Sequence, residues 1–264
     1  MQIADLGHIR LHYRIDGPEH GLPVVFSNAL GADLRVWEPL LPHLPDGLRM
    51  LRYDRRGHGL SDVPEGPYSM GQLVRDTEGL LDLVGWRGCV FVGLSIGGMV
   101  GQGLAVKRPD LIRALVLSNT AARIGTVEMW QERIKKARAG GLAALTAPTM
   151  ERWFSPDFRK RPELGLWQNM FQATPLEGWA GCAAAIAGSD FYTSTSGLRL
   201  PVLGIGADRD GSTPPDLVRE TTELVPGARF ALIRRAGHLP HVEQPETYAE
   251  ALTGFLRDTG ILPA

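Results

Sequence analysis

Short, continuous apolar runs separated by helical patterns restrict the fold of this chain more than any other feature. Such runs suit parallel strands that are covered on both faces. Apolar and polar residues alternate over residues 9–16 instead, which predicts a half-buried antiparallel strand. Together these patterns predict an α/β fold with a mostly parallel sheet. The apolar runs lie at residues 24–26, 50–51, 89–92, 114–117 and 202–205, and the helical patterns at residues 69–84, 96–107, 217–224 and 246–256.

The alternation of strands and helices stops between residues 121 and 198. Thr126 is a candidate N-cap for a helix there, and Thr174 and Glu177 have the spacing of a capping box. Four of the six tryptophans of the chain lie in this segment: Trp130, Trp153, Trp167 and Trp179. We therefore expect a helical lid at residues 121–198, inserted in a core that residues 1–120 and 199–264 form.

Composition excludes several classes of protein. The chain has 264 residues, of which 44% are hydrophobic, and a net charge of −1, with no basic stripe that would suggest a nucleic-acid partner. No apolar stretch approaches the ~20 residues of a membrane span, and the first residues lack the apolar region of a signal peptide. We therefore expect a cytoplasmic protein in which Cys89 and Cys182 are free thiols rather than a disulfide.

A serine between two glycines marks a candidate nucleophile. Residues 93–97, Gly-Leu-Ser-Ile-Gly, match the Gly-x-Ser-x-Gly pattern and join a predicted strand to a predicted helix. A sharp turn of this kind lifts the hydroxyl of Ser95 above the sheet edge, and the first N–H groups of the helix favour a developing negative charge there. The alternative is a glycine-rich turn that only packs against a neighbouring helix.

A serine hydroxyl needs a base, and the chain offers several histidines. Only His238 and His241 follow the last predicted strand, and His238 comes directly after it. His241 resembles one half of a metal pair, but Pro240 precludes a regular helical pairing with His238 and no third ligand is evident, so we expect a loop residue and no metal. His58, in a charged loop held by Asp54 and Arg56, is a weaker rival for the role of base.

Two aspartates follow the strand at residues 202–205 and compete for the role of orienting the histidine. Asp210 lies further into the loop than Asp208 and precedes Gly-Ser-Thr-Pro, which favours Asp210. Ser95, Asp210 and His238 then lie beyond the ends of three parallel strands, at the edge where open α/β sheets bind ligands.

These residues and the stretches around them resemble the α/β-hydrolase superfamily over nearly the whole chain. The general signature includes "DRRGHGLSD" and "GHLPHVEQPE". Within the superfamily, the chain is most similar to the 3-oxoadipate enol-lactonases of aromatic-compound breakdown, and this similarity is strongest over residues 27–134. It is carried by "SNALGADLRVWEPLLPHL", "LRYDRRGHGLSDVPEGPYSM", "GLSIGG" and "SNTAARIGTVEMWQERI".

The resemblance implies hydrolysis of an enol-lactone to 3-oxoadipate by a Ser-His-Asp triad, without a metal or organic cofactor. Ser27-Asn28 stands where the superfamily commonly has His-Gly, and the oxyanion would be bound by the backbone N–H groups of Ala29 and Ile96. The small-molecule substrate carries a carboxylate, for which Arg123 is the candidate partner, although a surface position for this arginine is an equal alternative. Trp130 is a candidate for the apolar wall of the pocket.

Two other functions remain open at this point. Another carboxylic-ester hydrolase or a cofactor-free perhydrolase would use the same triad, with the shape of the pocket deciding the substrate. A ligand-binding sensor built on the same fold would need no triad. We expect a monomer or a small homo-oligomer.

Overall fold

A single mixed sheet forms the centre of the protein. The structure is a computed structural model, which describes residues 2–263. Eight strands lie in the order β1-β2-β4-β3-β5-β6-β7-β8, and β3 to β8 run parallel to one another, whereas β1 and β2 are antiparallel to their neighbours. The strands are β1 (Gln2–Asp5), β2 (Arg10–Asp16), β3 (Leu22–Ser27), β4 (Leu48–Tyr53), β5 (Cys89–Leu94), β6 (Ile112–Ser118), β7 (Val202–Ala207) and β8 (Arg229–Ile233).

Burial of the strands follows their sequence patterns. Every residue of β5 and β7 is buried, because helices cover both faces of the sheet there. In β2, Leu11 and Tyr13 face the core, while Arg10 and Arg14 are exposed. The predicted mostly parallel sheet with an antiparallel N-terminal strand is therefore confirmed.

Helices cover the sheet and fill the long connection between β6 and β7. They are α1 (Met70–Leu83), α2 (Ile96–Lys107), α3 (Val127–Gly140), α4 (Ala143–Trp153), α5 (Leu164–Gln172), α6 (Leu176–Ala187), α7 (Tyr192–Ser196), α8 (Pro215–Glu223), α9 (Pro240–Glu243) and α10 (Pro245–Asp258). Short 3₁₀ helices lie at Leu34–Trp37, Leu41–His43 and Phe158–Lys160. The helical insertion that the sequence predicts is thus α3 to α7, and none of the described helices is long and apolar enough to cross a membrane.

Helix caps show where local sequence decides the structure and where it does not. Ser69 and Gln72 form the reciprocal bonds of a capping box at the start of α1, and the side chain of Thr126 caps α3. The capping box expected at Thr174 is wrong. The hydroxyl of Thr174 donates instead to the carbonyl oxygen of Met170 in the preceding helix, at 3.3 Å, and α6 begins without a side-chain cap.

Both cysteines are free and buried, as predicted. Cys89 lies in β5 and Cys182 in α6, and their thiols have no disulfide partner among the described residues. Burial raises the pKa of each thiol to about 12. At neutral pH both groups are therefore neutral thiols that fill space in the core.

Candidate active site

Ser95 lies at the turn between β5 and α2 in a strained backbone conformation. Its φ and ψ angles are 57° and −121°, outside the regions that side-chain-bearing residues favour. Two hydrogen bonds hold this turn to β6 and the residues after it. The N–H of Ser95 donates to the carbonyl oxygen of Ser118 at 3.0 Å, and the hydroxyl of Thr120 donates to the carbonyl oxygen of Ser95 at 2.6 Å. The surrounding sheet thus maintains the strain.

The two glycines of the turn are required by space. A Cβ atom at Gly93 would lie 2.4 Å from the carbonyl oxygen of Gly97. A Cβ atom at Gly97 would lie 2.2 Å from the carbonyl oxygen of Ser27. Because these contacts are with backbone atoms, a side chain at either position would displace the turn. Glycine is therefore required at both positions, where strand, helix and the end of β3 cross.

Asp210 and His238 form a buried pair beside this turn. Asp210 follows β7 and His238 follows β8, and the Oδ2 atom of Asp210 lies 2.9 Å from Nδ1 of His238. The same oxygen accepts hydrogen bonds from Asn119 and from the hydroxyl of Thr213, each at 2.8 Å. Oδ1 accepts from the N–H of Ser212 at 2.7 Å. Hydrogen bonds thus fix both oxygens of the carboxylate, and Nδ1 of His238 donates one of them.

Electrostatics keeps this carboxylate ionised. Burial acts to raise the pKa of Asp210, but the facing His238 and the hydrogen bonds from Asn119 and Ser212 outweigh burial, and the pKa lies below its ordinary value. Asp208, the alternative, points elsewhere. Its Oδ1 accepts from the N–H of Ala236 at 3.4 Å, and its side chain is 26% exposed.

The hydroxyl of Ser95 and the ring of His238 border one cavity of about 120 Å³. The structure places no hydrogen bond between the two side chains. Catalytic hydrogen bonds are often long before a substrate binds, and both groups open onto the same space. The structure therefore brings together the three residues that the sequence selected, with the aspartate–histidine contact already formed.

Two backbone N–H groups, each next to a residue that lines the cavity, come from different parts of the fold. Ile96 is the first residue of α2, so its N–H has no partner within the helix, and Ala29 lies just beyond the end of β3. Neither N–H donates to another group within residues 2–263. These are the two positions predicted for an oxyanion hole.

Side chains from several elements hold the loop that carries Ala29. The amide of Asn28 donates to the carbonyl oxygen of Tyr53 at 2.9 Å and accepts from the indole N–H of Trp37 at 2.7 Å. Nε2 of His58 accepts from the N–H of Gly31 at 2.9 Å. The side chain of Asn28 thus forms two hydrogen bonds that a glycine at this position could not form.

His58 is excluded as a base by this contact. Its Nε2 lone pair is occupied by the N–H of Gly31, and burial, with the nearby charge of Arg55, lowers its pKa to about 3. The neutral ring therefore holds the loop in place and cannot act as the base.

Asp54 and Arg56 hold the same region, as expected. Asp54 accepts hydrogen bonds from the N–H groups of Leu34 and Leu60, and Arg56 forms an ion pair with a buried aspartate of α1.

His241 departs from its expected loop setting. It lies in the one-turn helix α9, fully buried, with its ring 4.3 Å from that of Trp37. Its Nε2 donates to the carbonyl oxygen of Val36 at 3.1 Å. Burial lowers the pKa of His241 to about 3, so the ring is a neutral part of the core. A proline is favoured in a first helical turn, so Pro240 begins this helix rather than preventing one.

Aromatic side chains of the inserted segment cover the cavity. Trp130, Trp153 and Trp179 line it, from α3, α4 and α6. Trp167 does not; its ring packs 6.1 Å from that of Phe154, away from Ser95. Trp130 is therefore placed where the sequence analysis expected it, and the tryptophans divide between the cavity wall and the packing of the insertion.

Arg123 requires a correction. Its side chain is exposed and does not border the cavity. The residue lies in a bend directly before Ile124, and Ile124, not Arg123, is buried and lines the cavity. The surface position is the correct alternative.

Two other arginines, which the sequence analysis missed, line the cavity. Arg133 of α3 and Arg152 of α4 are partly buried, and neither forms an ion pair with a carboxylate in the part of the chain that the structure describes. The guanidinium of Arg133 lies 4.4 Å from the centroid of the Trp130 ring, and its Nε has no hydrogen-bond partner. Arg152 donates to the hydroxyl of Thr149 at 3.2 Å.

These arginines give the cavity a positive charge. Burial, and secondarily the charge of Arg152, lowers the pKa of Arg133 to about 10, which leaves it protonated at neutral pH. One sequence relationship could have identified it: Arg133 is three residues after Trp130, on the same face of α3. For Arg152 no comparable pattern exists, because its approach to Ser95 depends on how α4 packs.

Glu243 joins the inserted segment to the histidine loop. Its carboxylate accepts from the N–H of Gly237 at 2.6 Å and from the N–H of Ser155, just after α4, at 3.2 Å. Gly237 directly precedes His238. One buried carboxylate thus sets the position of the insertion relative to His238.

The fold and this arrangement of side chains define a hydrolase with a serine at a strand-to-helix turn, and comparison with known proteins agrees. The family model of the α/β hydrolase fold matches residues 23–245. 3-Oxoadipate enol-lactonase 2 of Acinetobacter baylyi is 32% identical to this chain over 252 residues, 94% of this chain and 94% of that enzyme.

Solved structures give the same result. The enol-lactonase from Burkholderia xenovorans LB400 superposes with a TM-score of 0.93 at 37% identity, covering 97% of this chain and 99% of that one. A thermophilic esterase from Thermogutta terrifontis, solved with malate bound, has a TM-score of 0.88 at 30% identity, covering 95% and 94% of the two chains. The protein therefore belongs to the α/β-hydrolase family. It is a carboxylic-ester hydrolase that acts on ester or lactone substrates, and among its relatives it resembles the enol-lactonases.

Proposed function

We propose that this enzyme hydrolyses 3-oxoadipate enol-lactone to 3-oxoadipate in the breakdown of aromatic compounds. The observation that carries the proposal is the pair Arg133 and Arg152, two cations without carboxylate partners in the cavity that Ser95 borders. Confining unpaired cations in a partly buried cavity is costly unless a ligand supplies the opposite charge. The enol-lactone has a carboxylate beside its reactive ring, and enzymes that act on it are similar to this chain.

Ser95 is the nucleophile of the proposed reaction. Its Oγ attacks the lactone carbonyl while Nε2 of His238 takes the proton, and Asp210 holds Nδ1 and stabilises the imidazolium. The N–H groups of Ile96 and Ala29 bind the oxyanion. Collapse of this intermediate breaks the ring C–O bond and leaves an acyl-enzyme.

The second half of the reaction uses the same groups. The leaving group is an enol oxygen that stays attached to the acyl chain, and His238 returns the proton before the enol tautomerises to a ketone. His238 then removes a proton from water, which attacks the acyl carbonyl and releases 3-oxoadipate and Ser95. Every step thus needs only proton transfer by His238 and stabilisation of the oxyanion by two backbone N–H groups.

Residues 121–198 serve as the lid of this site, over a core of residues 1–120 and 199–264. The support is that α3 and α4 supply Arg133 and Arg152, and that tryptophans of the same segment enclose the cavity. Excluding water strengthens the interactions of the arginines with a carboxylate. Substrate selectivity therefore resides in the lid, and the chemistry in the core.

A hydrolase or perhydrolase for uncharged acyl compounds would leave both arginines without a function, and a sensor would not need the fixed Asp210–His238 pair. The experiment that separates these functions is a comparison of kcat/KM for the enol-lactone and for p-nitrophenyl acetate, which has no carboxylate. We expect the enol-lactone to be favoured by at least about 100-fold, since each hydrogen bond to a charged group contributes about 1.5–3 kcal/mol. Equal values for the two substrates would refute the proposed specificity.

A further inference from the structure

Arg55 is a buried cation beneath the loop that carries Ala29. It lies two residues beyond the end of β4, and only 3% of its surface is exposed. Its Nη2 donates to the carbonyl oxygen of Asn28 and lies 3.5 Å from the hydroxyl of Ser27. Among the described residues, no carboxylate forms an ion pair with Arg55, and its Nε and Nη1 have no hydrogen-bond partner.

This arrangement is unfavourable for stability. A guanidinium stays charged in proteins, and burying a charge without a counter-ion costs free energy. Burial in fact lowers the pKa of Arg55, which shows that its surroundings disfavour the charge. The nearby Arg52 and Arg56 differ, since each forms an ion pair with an aspartate, at 2.6 Å and 2.5 Å. Among the described residues, Arg55 is therefore the one of these three arginines that is buried without an ion pair to offset the cost of burying its charge.

The acceptor of Arg55 belongs to the peptide unit that carries the Ala29 N–H. This unit is trans, since the cis bond found within the described chain is Gly66-Pro67. In a planar trans peptide the C=O and N–H groups point in opposite directions. Holding the carbonyl of Asn28 on the side of Arg55 therefore directs the N–H of Ala29 to the opposite side. Rotation of this peptide plane would turn the N–H away.

The charge of Arg55 also strengthens that N–H as a donor. A cation on the carbonyl oxygen polarises the amide, and hydrogen bonds in series reinforce one another. A positive charge in the interior additionally stabilises negative charge that develops nearby during the reaction. Both effects favour the oxyanion.

We infer that Arg55 is a positioning residue for ester hydrolysis, which acts through the Asn28–Ala29 peptide to aim the Ala29 N–H at the oxyanion and to strengthen it. The inference rests on the proposed roles of Ser95 and Ala29, but not on the identity of the natural substrate. Arg55 touches no substrate atom. The buried charge of Arg55 lowers stability, but it fixes a donor in the oxyanion hole.

The test is the variant Arg55→Met, measured with both the enol-lactone and p-nitrophenyl acetate. Every ester develops an oxyanion, so we expect kcat to fall about 10- to 100-fold on both substrates, somewhat less than the loss from deleting a donor outright, with KM within about twofold of wild type. Removing an unpaired buried charge should leave Tm unchanged or higher. A merely structural role predicts the reverse, a lower Tm with normal kcat, and that result would overturn the inference.

Arg52→Met is the matched control. Arg52 is equally buried but pairs with Asp16, and it makes no contact with the Asn28–Ala29 peptide. We expect this variant to have a lower Tm and a kcat within about twofold of wild type. If the enol-lactone is not the natural substrate, the wild-type enzyme hydrolyses it poorly, and the measurements with p-nitrophenyl acetate still test Arg55.

A second measurement reports on the oxyanion hole directly. A boronic acid forms a tetrahedral adduct with a catalytic serine, whereas levulinate, a keto acid, binds without one. In Arg55→Met the affinity for phenylboronic acid should fall by the same factor as kcat, and the affinity for levulinate should not change. Should Arg55→Met fail to fold, Arg55→Leu replaces it, because leucine also removes both the charge and the donor to the Asn28 carbonyl. Wild-type kcat and wild-type boronic acid affinity in the folded variant would overturn the inference.

Discussion

The guanidinium of Arg133 stacks on the indole ring of Trp130, 4.4 Å from its centroid, within the cavity that Ser95 borders. The two residues are one helical turn apart on α3, and the charge of Arg133 is not neutralised by a carboxylate of the described chain. The indole holds the guanidinium by a cation–π contact and leaves its N–H groups free for a ligand. Under the proposed function, this pair is where the inserted segment recognises the carboxylate of the substrate.

Removing this charge should affect only substrates that carry a carboxylate. We expect Arg133→Met to lower kcat/KM for the enol-lactone by about 1.5–3 kcal/mol and to leave hydrolysis of p-nitrophenyl acetate nearly unchanged, because the methionine keeps apolar contacts with Trp130. Arg123→Ala is the control, and since Arg123 is exposed outside the cavity, neither substrate should be affected. Equal losses on both substrates for Arg133→Met would assign the effect to the lid structure instead.

The two aspartates after β7 should differ sharply. Asp210→Asn keeps the shape of the side chain but favours the wrong tautomer of His238, so we expect kcat to fall by about 10³–10⁴. Asp208→Asn should stay within about twofold of wild type, because Asp208 bonds only weakly to the backbone near β8. Steady-state kinetics of both variants with one substrate suffices, and a larger loss for Asp208→Asn would reassign the triad.

The buried neutral His241 should make stability depend on pH. Its pKa in the folded state is lowered to about 3, so below pH 6.5 the unfolded chain binds a proton that the folded chain does not. Protonation then favours unfolding, and stability is lost as pH falls. From pH 7.5 to pH 5.5, His241 should account for a loss of about 1–1.5 kcal/mol in the free energy of unfolding.

Urea unfolding at both pH values measures this contribution. His241→Phe should lose about 1–1.5 kcal/mol less than wild type over this interval, whatever its stability at pH 7.5. Identical pH dependence in the two proteins would mean that His241 is protonated in the fold.

Backbone strain at Ser95 predicts an unusual order of stabilities. Glycine adopts positive φ without steric cost, whereas alanine keeps the strain of serine. We therefore expect Ser95→Gly to be more stable than Ser95→Ala by about 1–3 kcal/mol in urea unfolding. At Ala139, an exposed helical position of α3, replacement of alanine by glycine should lower stability instead. An alanine variant at position 95 as stable as the glycine variant would show that the turn is not strained.

The parts of this molecule that could be predicted from the sequence are those that local chemistry determines. Gly93 is required by a backbone contact with Gly97, within a few residues of Ser95. Asp210 and His238 lie in the loops that follow two strands whose ends must meet at one edge. The apolar runs of the strands and the cap at Ser69 are local in the same sense.

The arginines that line the cavity could not be predicted in this way. Arg133 and Arg152 resemble solvent-facing residues of charged helices, and only the packing of α3 and α4 over the core turns them towards Ser95. Arg123 is a candidate because the chain enters the inserted segment there, yet its side chain is exposed. Arg55 looks like one more charge in a polar loop, because its contact with the Asn28 carbonyl joins residues that are 27 positions apart.

Steady-state hydrolysis of 3-oxoadipate enol-lactone by wild type and by Ser95→Ala tests the central claim most directly. Alanine removes only the hydroxyl and keeps the turn, so circular dichroism and Tm should show a folded protein. We expect a wild-type enzyme that turns over the lactone and a Ser95→Ala variant whose kcat is lower by about 10³-fold or more, as for removal of a triad member. A folded Ser95→Ala enzyme with activity within about tenfold of wild type would contradict the account.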